Sequence, residues 1–259
     1  MIKRFITSIL LIPLFLFLAF KGGLILAIAI GIISTIALFE FYRVFNNLEK
    51  KPNKIIGIIF NFIFLIFIYN KFNYNYIIFL LFVFTMILLI YNLFSKRDQL
   101  INSMITFFGV FYIPLGFFHL ILLERIAYDY IVFIPFLISW GCDTFAYFFG
   151  KKFGKRKLIP SVSPNKTKEG AIAGIIGSII LNYLLAKFFI PEILDYIILI
   201  SFIGSIFSQL GDLMASKIKR KCKVSDFGHL LPGHGGILDR FDSTVITIPV
   251  VYYLILIIY

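Results

Sequence analysis

The chain has 259 residues, of which 60% are hydrophobic and 15% charged, and its mean hydropathy is +0.97. These values exclude an ordinary soluble domain and place the chain among polytopic membrane proteins. The net charge of +12 does not call for nucleic acid as a partner, because the cations collect between apolar runs rather than along one soluble face.

Lys3 and Arg4 precede an apolar run over residues 5–20. No small-residue cleavage site follows, so this run reads as a retained span rather than a cleaved leader. Further apolar runs cover residues 22–42, 55–69, 76–94, 101–123, 130–150, 171–190, 197–214 and 244–258. Each approaches the ~20 residues that a bilayer core requires. The expected fold is therefore all-α: a polytopic integral membrane protein with about nine transmembrane helices. With the N-terminus in the cytoplasm, 21 of the 25 lysines and arginines fall on the cytoplasmic side, and only Lys21, Lys71, Arg125 and Lys187 fall outside. That asymmetry is the positive-inside pattern, and it accounts for the basic composition.

Residues 1–123, about five spans, carry few special side chains and read as a scaffold. Glu40 lies near the cytoplasmic end of the second run, with Arg43 one helical turn later; of the two readings, a buried functional carboxylate or a local ion pair, the ion pair is preferred. Residues 124–259 hold the two richest cytoplasmic loops, at 151–170 and 215–243, and read as the catalytic region. Asp143 falls inside the sixth run and Asp212 near the inner end of the eighth. A carboxylate costs about 2.5–3.5 kcal/mol at a span centre, so each needs a cation, a metal or a water-filled cavity. Cys142 and Cys222 are isolated thiols that suggest neither a disulfide framework nor a zinc site.

The first rich loop places Pro160 and Pro164 in extended or turn geometry, then offers Ser163, Lys166 and Thr167 ahead of a helix beginning near Glu169. Hydroxyls, an ammonium and a helix N-terminus suit phosphate. The second gathers Lys219, Arg220, His229, His234, Gly235, Gly236, Asp239, Arg240 and Asp242. Asp239 and Asp242 stand one helical turn apart behind a glycine pair and a cluster of cations. Such carboxylates suit a divalent ion such as Mg²⁺, and glycine backbone and cations suit the phosphates it would carry. Taken alone, the lysines are equally what topology places in any cytoplasmic loop.

The long polar signature does more. Ser216, Ile218, Lys219, Arg220, Asp226, Gly228, Pro232 and the run His234-Gly235-Gly236-Ile237-Leu238-Asp239-Arg240-Phe241-Asp242 resemble the signature of the phosphatidate cytidylyltransferases, or CDP-diacylglycerol synthases. The resemblance continues upstream through Asp143-Thr144, Ala146-Tyr147, Gly150, Gly154, Lys157, Pro160, Ser163-Pro164, Lys166-Thr167, Glu169-Gly170 and Gly211-Asp212-Leu213. There are two departures: Ser225 stands where the family usually has lysine, so no role is assigned there, and Asn165 stands at a position that is often basic or small.

This resemblance implies Mg²⁺-dependent transfer of CMP from CTP to phosphatidate, giving CDP-diacylglycerol and pyrophosphate for phospholipid synthesis. Chain connectivity permits Asp212, Asp239 and Asp242 to converge near the inner surface; Asp212 and Asp239 are the best candidates for metal ligands, with Asp242 either a third ligand or a supporting partner, and a second metal or a monovalent cation stays open. Lys219, Arg220 and Arg240 would contact phosphates. Asp143, Ser163, Lys166, Thr167, Ser216, Gly235 and Gly236 would line the substrate site. His234 would hydrogen-bond a phosphate or hold the glycine turn, because a phosphate monoester with a second pKa of about 6 needs no obligatory base. The resemblance also suggests a homodimer in the cell membrane with its site facing the cytosol. The alternative from another class is an ion-coupled secondary transporter using Asp143 and Asp212, although no repeated halves are visible. A CDP-alcohol phosphotransferase would show an Asp-Gly, Ala-Arg pattern that this chain lacks.

Overall fold

A chain that crosses hydrocarbon must satisfy its backbone groups internally, and long apolar runs therefore fold as helices. The computed structural model describes residues 16–95, 99–126, 130–231, 233 and 235–258. Its helices are α1 (Gly23–Val44), α2 (Lys54–Tyr69), α3 (Tyr74–Phe94), α4 (Leu100–Tyr112), α5 (Pro114–Glu124), α6 (Ile134–Phe153), α7 (Lys168–Phe189), α8 (Leu194–Lys221), the single turn α9 (Leu238–Phe241) and α10 (Thr244–Ile258). Residues 16–21 are also helical. Strands β1 (Lys157–Ile159) and β2 (Ser163–Thr167) form the one small sheet among the described residues.

Among the described residues, seven helical segments are long and apolar enough to cross a membrane. The 16-residue α2 is a shorter apolar helix, about 24 Å long at 1.5 Å per residue. This is the all-α membrane architecture expected from the sequence, and of the nine expected runs the first lies mostly outside the described residues. The run over 101–123 is divided between α4 and α5 at Pro114, whose missing N–H interrupts the helical ladder.

By packing, the chain divides into two units: the described residues of Met1–Ile121 with Cys222–Arg240, and those of Leu122–Lys221 with Phe241–Tyr259. In the first, Tyr42 of α1 is fully buried and donates its hydroxyl to the Thr106 carbonyl at 2.6 Å. Gly57 on α2 and Gly109 on α4 leave the room its ring occupies. Ser34 Oγ donates to Asn61 Oδ1 at 2.9 Å, and Asn61 Nδ2 donates to Thr35 Oγ1 at 2.8 Å, a polar clasp between α1 and α2 of the kind that joins helices in hydrocarbon. The segment Cys222–Arg240 packs with this unit although it lies far along the chain. Asn47 Nδ2 donates to the Cys222 carbonyl at 3.1 Å, and buried Phe227 sits 6.4 Å from the Phe41 ring.

The second unit is built on α6, α7, α8 and α10. Gly170, Gly174 and Gly177 recur at helical spacing along the face of α7 that meets α6. A Cβ on Gly174 would lie 2.7 Å from the Cys142 carbonyl oxygen, and one on Gly170 would lie 2.7 Å from that of Ala146. The two backbones therefore touch directly, the close approach that small residues permit in membranes. Gly174→Ala is expected to destabilise the protein by about 1–3 kcal/mol, because backbone cannot yield as a side-chain tip does. A lowered melting temperature in detergent would register it; an unchanged one would show that the helices separate freely.

The loop over 151–170, expected to be extended or turned, is an antiparallel hairpin in which Lys157 pairs with Thr167 and Ile159 with Ser163. In a two-stranded ribbon both strands are edges, so Pro164 is tolerated inside β2. Glu169, in the first turn of α7, accepts the backbone N–H groups of Lys155 and Arg156 at 3.0 and 3.2 Å and ties the hairpin base to the helix.

Candidate active site

Where α6, β2, α7 and α8 meet, the second unit opens a cleft of about 630 Å³ lined by Asp143, Tyr147, Gly150, Lys151, Gly154, Lys157, Asn165, Lys166, Thr167, Gln209 and Asp212, among others. The local sequence explains its shape. Thr167 caps α7 by accepting the Gly170 N–H at 3.1 Å. Gly150, Gly154 and Gly170 crowd around that threonine, and a Cβ on any of them would strike its side chain.

Opposing charges meet in this cleft. Lys166 Nζ forms an ion pair with Asp212 Oδ2, and Ser216 Oγ donates to Asp212 Oδ1 at 3.3 Å, one helical turn along α8. Gln209, a turn earlier, donates its Nε2 to the Ala171 carbonyl at 3.0 Å and to Cys142 Sγ at 3.3 Å. Three lysines, 151, 157 and 166, and two carboxylates, Asp143 and Asp212, line one wall or another. Arrangements of this kind take a polyanion together with a divalent cation.

Asp242 is buried in the same unit, where Gly211 lets α8 approach: a Cβ there would sit 3.1 Å from the Asp242 carbonyl oxygen. Its Oδ2 lies 3.6 Å from Lys219 Nζ, and its Oδ1 accepts the Ser243 N–H at 2.8 Å. Ser243 Oγ in turn donates to Asp143 Oδ2 at 3.4 Å, so Asp143 of the cleft and the start of α10 share a hydrogen bond.

The signature loop belongs to the first unit, and its backbone amides point at two carboxylates of its own chain. Asp239 Oδ2 accepts the N–H groups of Phe227 at 2.8 Å, Gly228 at 3.4 Å and Gly236 at 3.0 Å. Glu40 of α1, only 5% exposed, accepts those of Ile237 at 3.1 Å and Leu238 at 2.9 Å. The expected ion pair with Arg43 is thus corrected. A buried carboxylate facing the first turn of α9 finds stronger partners in two orphan amides than in a cation one turn away on its own helix. Gly235 adopts φ +82°, which glycine permits, and closes a bridge with Leu231.

The structure thus places Asp143, Lys166, Thr167 and Asp212 in one cleft, Asp242 with Lys219 nearby in the same unit, and Asp239, Gly235 and Gly236 in the loop of the other unit. Ser163 lies in the hairpin pairing opposite Ile159 and does not line the cleft. Arg220 and Arg240 are exposed, and His234 lies outside the described residues. Gln209, Lys151, Asn165 and Glu40 were not singled out as site residues. Gln209 carried a usable signal: an amide in an apolar run, one turn before Asp212.

Among the described residues no group of three or more His, Cys, Asp or Glu is gathered for a metal. Mg²⁺ usually binds through one or two carboxylates and completes its shell with substrate phosphates and water. Asp143 and Asp212, hard oxygen donors in a cleft with three lysines, fit that mode.

The family model described as the cytidylyltransferase family matches residues 2–258. The chain is 37% identical over 267 residues to the phosphatidate cytidylyltransferase of Bacillus subtilis (strain 168), covering 98% of this chain and 97% of that protein. It is 38% identical over 259 residues to that of Staphylococcus saprophyticus and 37% over 258 residues to that of Staphylococcus aureus (strain COL), each covering 98% of both chains. The family model over nearly the whole chain, and similarity over nearly the full length of both partners, mean that this chain belongs to the cytidylyltransferase family.

Proposed function

We propose that the chain is a phosphatidate cytidylyltransferase that transfers CMP from CTP to phosphatidate at the cytosolic face of the cell membrane. The observation that carries this reading is the cleft in which the Lys166–Asp212 ion pair stands beside Lys151, Lys157 and Asp143, within a chain similar end to end to enzymes of that name. Nothing in the fold or in these similarities favours an ion-coupled transporter.

In this reading a phosphate oxygen of phosphatidate attacks the α-phosphorus of CTP, the bond to the bridging oxygen breaks, and pyrophosphate leaves with the electron pair. The lipid phosphate, largely dianionic above its second pKa of about 6, needs no base to remove a proton. The difficulty is bringing two polyanions together and stabilising charge on the departing pyrophosphate. Lys151, Lys157 and Lys166 balance phosphate charge, with Lys166 turning from Asp212 toward the nucleotide as it arrives. Mg²⁺, when bound, supplies Lewis-acid stabilisation of phosphate oxygens. Asp212 and Asp143 would hold it from the cleft, with Asp242 supporting through Ser243. Asp239, which the family resemblance makes a candidate ligand, accepts three loop amides through its Oδ2. Lys219, Arg220 and Arg240 steer the anionic substrates, and a site at the membrane edge lets the lipid enter sideways. A homodimer is the expected assembly.

The deciding experiment uses purified protein in lipid nanodiscs with CTP, phosphatidate and Mg²⁺. Release of pyrophosphate with formation of CDP-diacylglycerol, dependent on the metal and without an ion gradient, is expected. Solute flux in proteoliposomes with no pyrophosphate release would overturn the reading.

A further inference from the structure

We propose that Glu40, on the transmembrane helix α1, is a positioning residue that holds the backbone presenting Asp239. The inference rests on the reading that the signature loop takes part in the transfer. An acidic side chain in an apolar run is costly unless it has partners. Glu40 has them in the first turn of α9, nearly 200 positions along the chain: Oε1 accepts the Ile237 N–H and Oε2 the Leu238 N–H. The preceding amide, that of Gly236, goes to Asp239 Oδ2 together with those of Phe227 and Gly228. Three consecutive amides are therefore shared between two carboxylates, and the orientation of Asp239 depends on a backbone that Glu40 fixes.

The glycines corroborate this. A Cβ on Gly228 or on Gly236 would overlap the Glu40 carboxylate. Two loop positions thus lack side chains where that carboxylate lies, and α1 is tied to the loop rather than merely adjacent to it. Charge-assisted bonds from backbone amides are roughly twice as strong as neutral ones. The two oxygens of Glu40 also match the two amides one to one. Glutamine keeps one acceptor but sets an NH₂ against the other amide, and alanine leaves both unmet.

The test uses the full-length protein in nanodiscs, with steady-state kinetics and hydrogen exchange read on the same samples. Glu40→Gln is expected to lower kcat about tenfold and Glu40→Ala about a hundredfold, with the KM for CTP changed less than about threefold. Exchange at the Ile237 and Leu238 amides should quicken at least about tenfold in Glu40→Ala while α8 exchanges as before. Near-normal kcat in Glu40→Ala overturns the proposal. So does activity lost in step with faster exchange throughout the protein, since that is general destabilisation. If the unaltered protein makes no CDP-diacylglycerol, the transfer reading falls by itself. Loop exchange in Glu40→Ala then decides the clasp, and unchanged rates there overturn it.

Discussion

Asp239→Asn is expected to abolish transfer, a loss of at least about a thousandfold, while the protein still inserts and remains folded. Asparagine retains an oxygen that can accept the Phe227, Gly228 and Gly236 amides now held by Oδ2, so the loop has a neutral substitute for its anchor. What it lacks is the charge. A hard divalent ion held there would gain less from an amide oxygen than from a carboxylate, and the leaving pyrophosphate would lose that stabilisation. The check is turnover across a Mg²⁺ titration, with loop exchange measured in parallel. Near-normal turnover would remove Asp239 from the proposed metal site. Lost turnover with a disordered loop would assign it to anchoring alone.

The second large effect concerns the ion pair in the cleft. Asp212→Asn is expected to lower kcat by about 10²–10³-fold, whereas Lys166→Met is expected to lower kcat/KM for CTP by about 10²-fold, mainly through KM. The difference follows from their roles. Asp212 would hold charge that matters most as pyrophosphate departs, and Lys166 would neutralise phosphates already in the ground state. Because the two side chains touch, the double variant should fall well short of the product of the single losses. Kinetics of the four proteins would check this, and strict multiplicativity would show that the pair does not act as a unit.

Much of the candidate site was legible before any coordinates. Asp143, Lys166 and Thr167, which the resemblance put in the substrate site, and Asp212, which it put at the metal, line one cleft. Ser163 was less legible: its hydroxyl chemistry suited phosphate, but strand pairing with Ile159 puts it in the hairpin. Glu40 was misread because sequence neighbours were weighed first. Arg43 is three residues away, whereas the amides of Ile237 and Leu238 are invisible to any composition argument, since every residue carries one.

The sequence by itself determined that this is a helical membrane protein, and which polar motifs interrupt its apolar runs. Hydropathy and charge are properties of each residue, add along the chain, and act on it through a slab of fixed thickness. Tertiary structure alone decided which amides meet Glu40 and Asp239, that Lys166 pairs with Asp212, and that Gly174 lets α7 lie against the backbone of α6. Those outcomes depend on how distant segments return to one another. Hydrogen bonds and van der Waals contacts act over a few ångströms, so which groups they join is fixed only when the chain has folded.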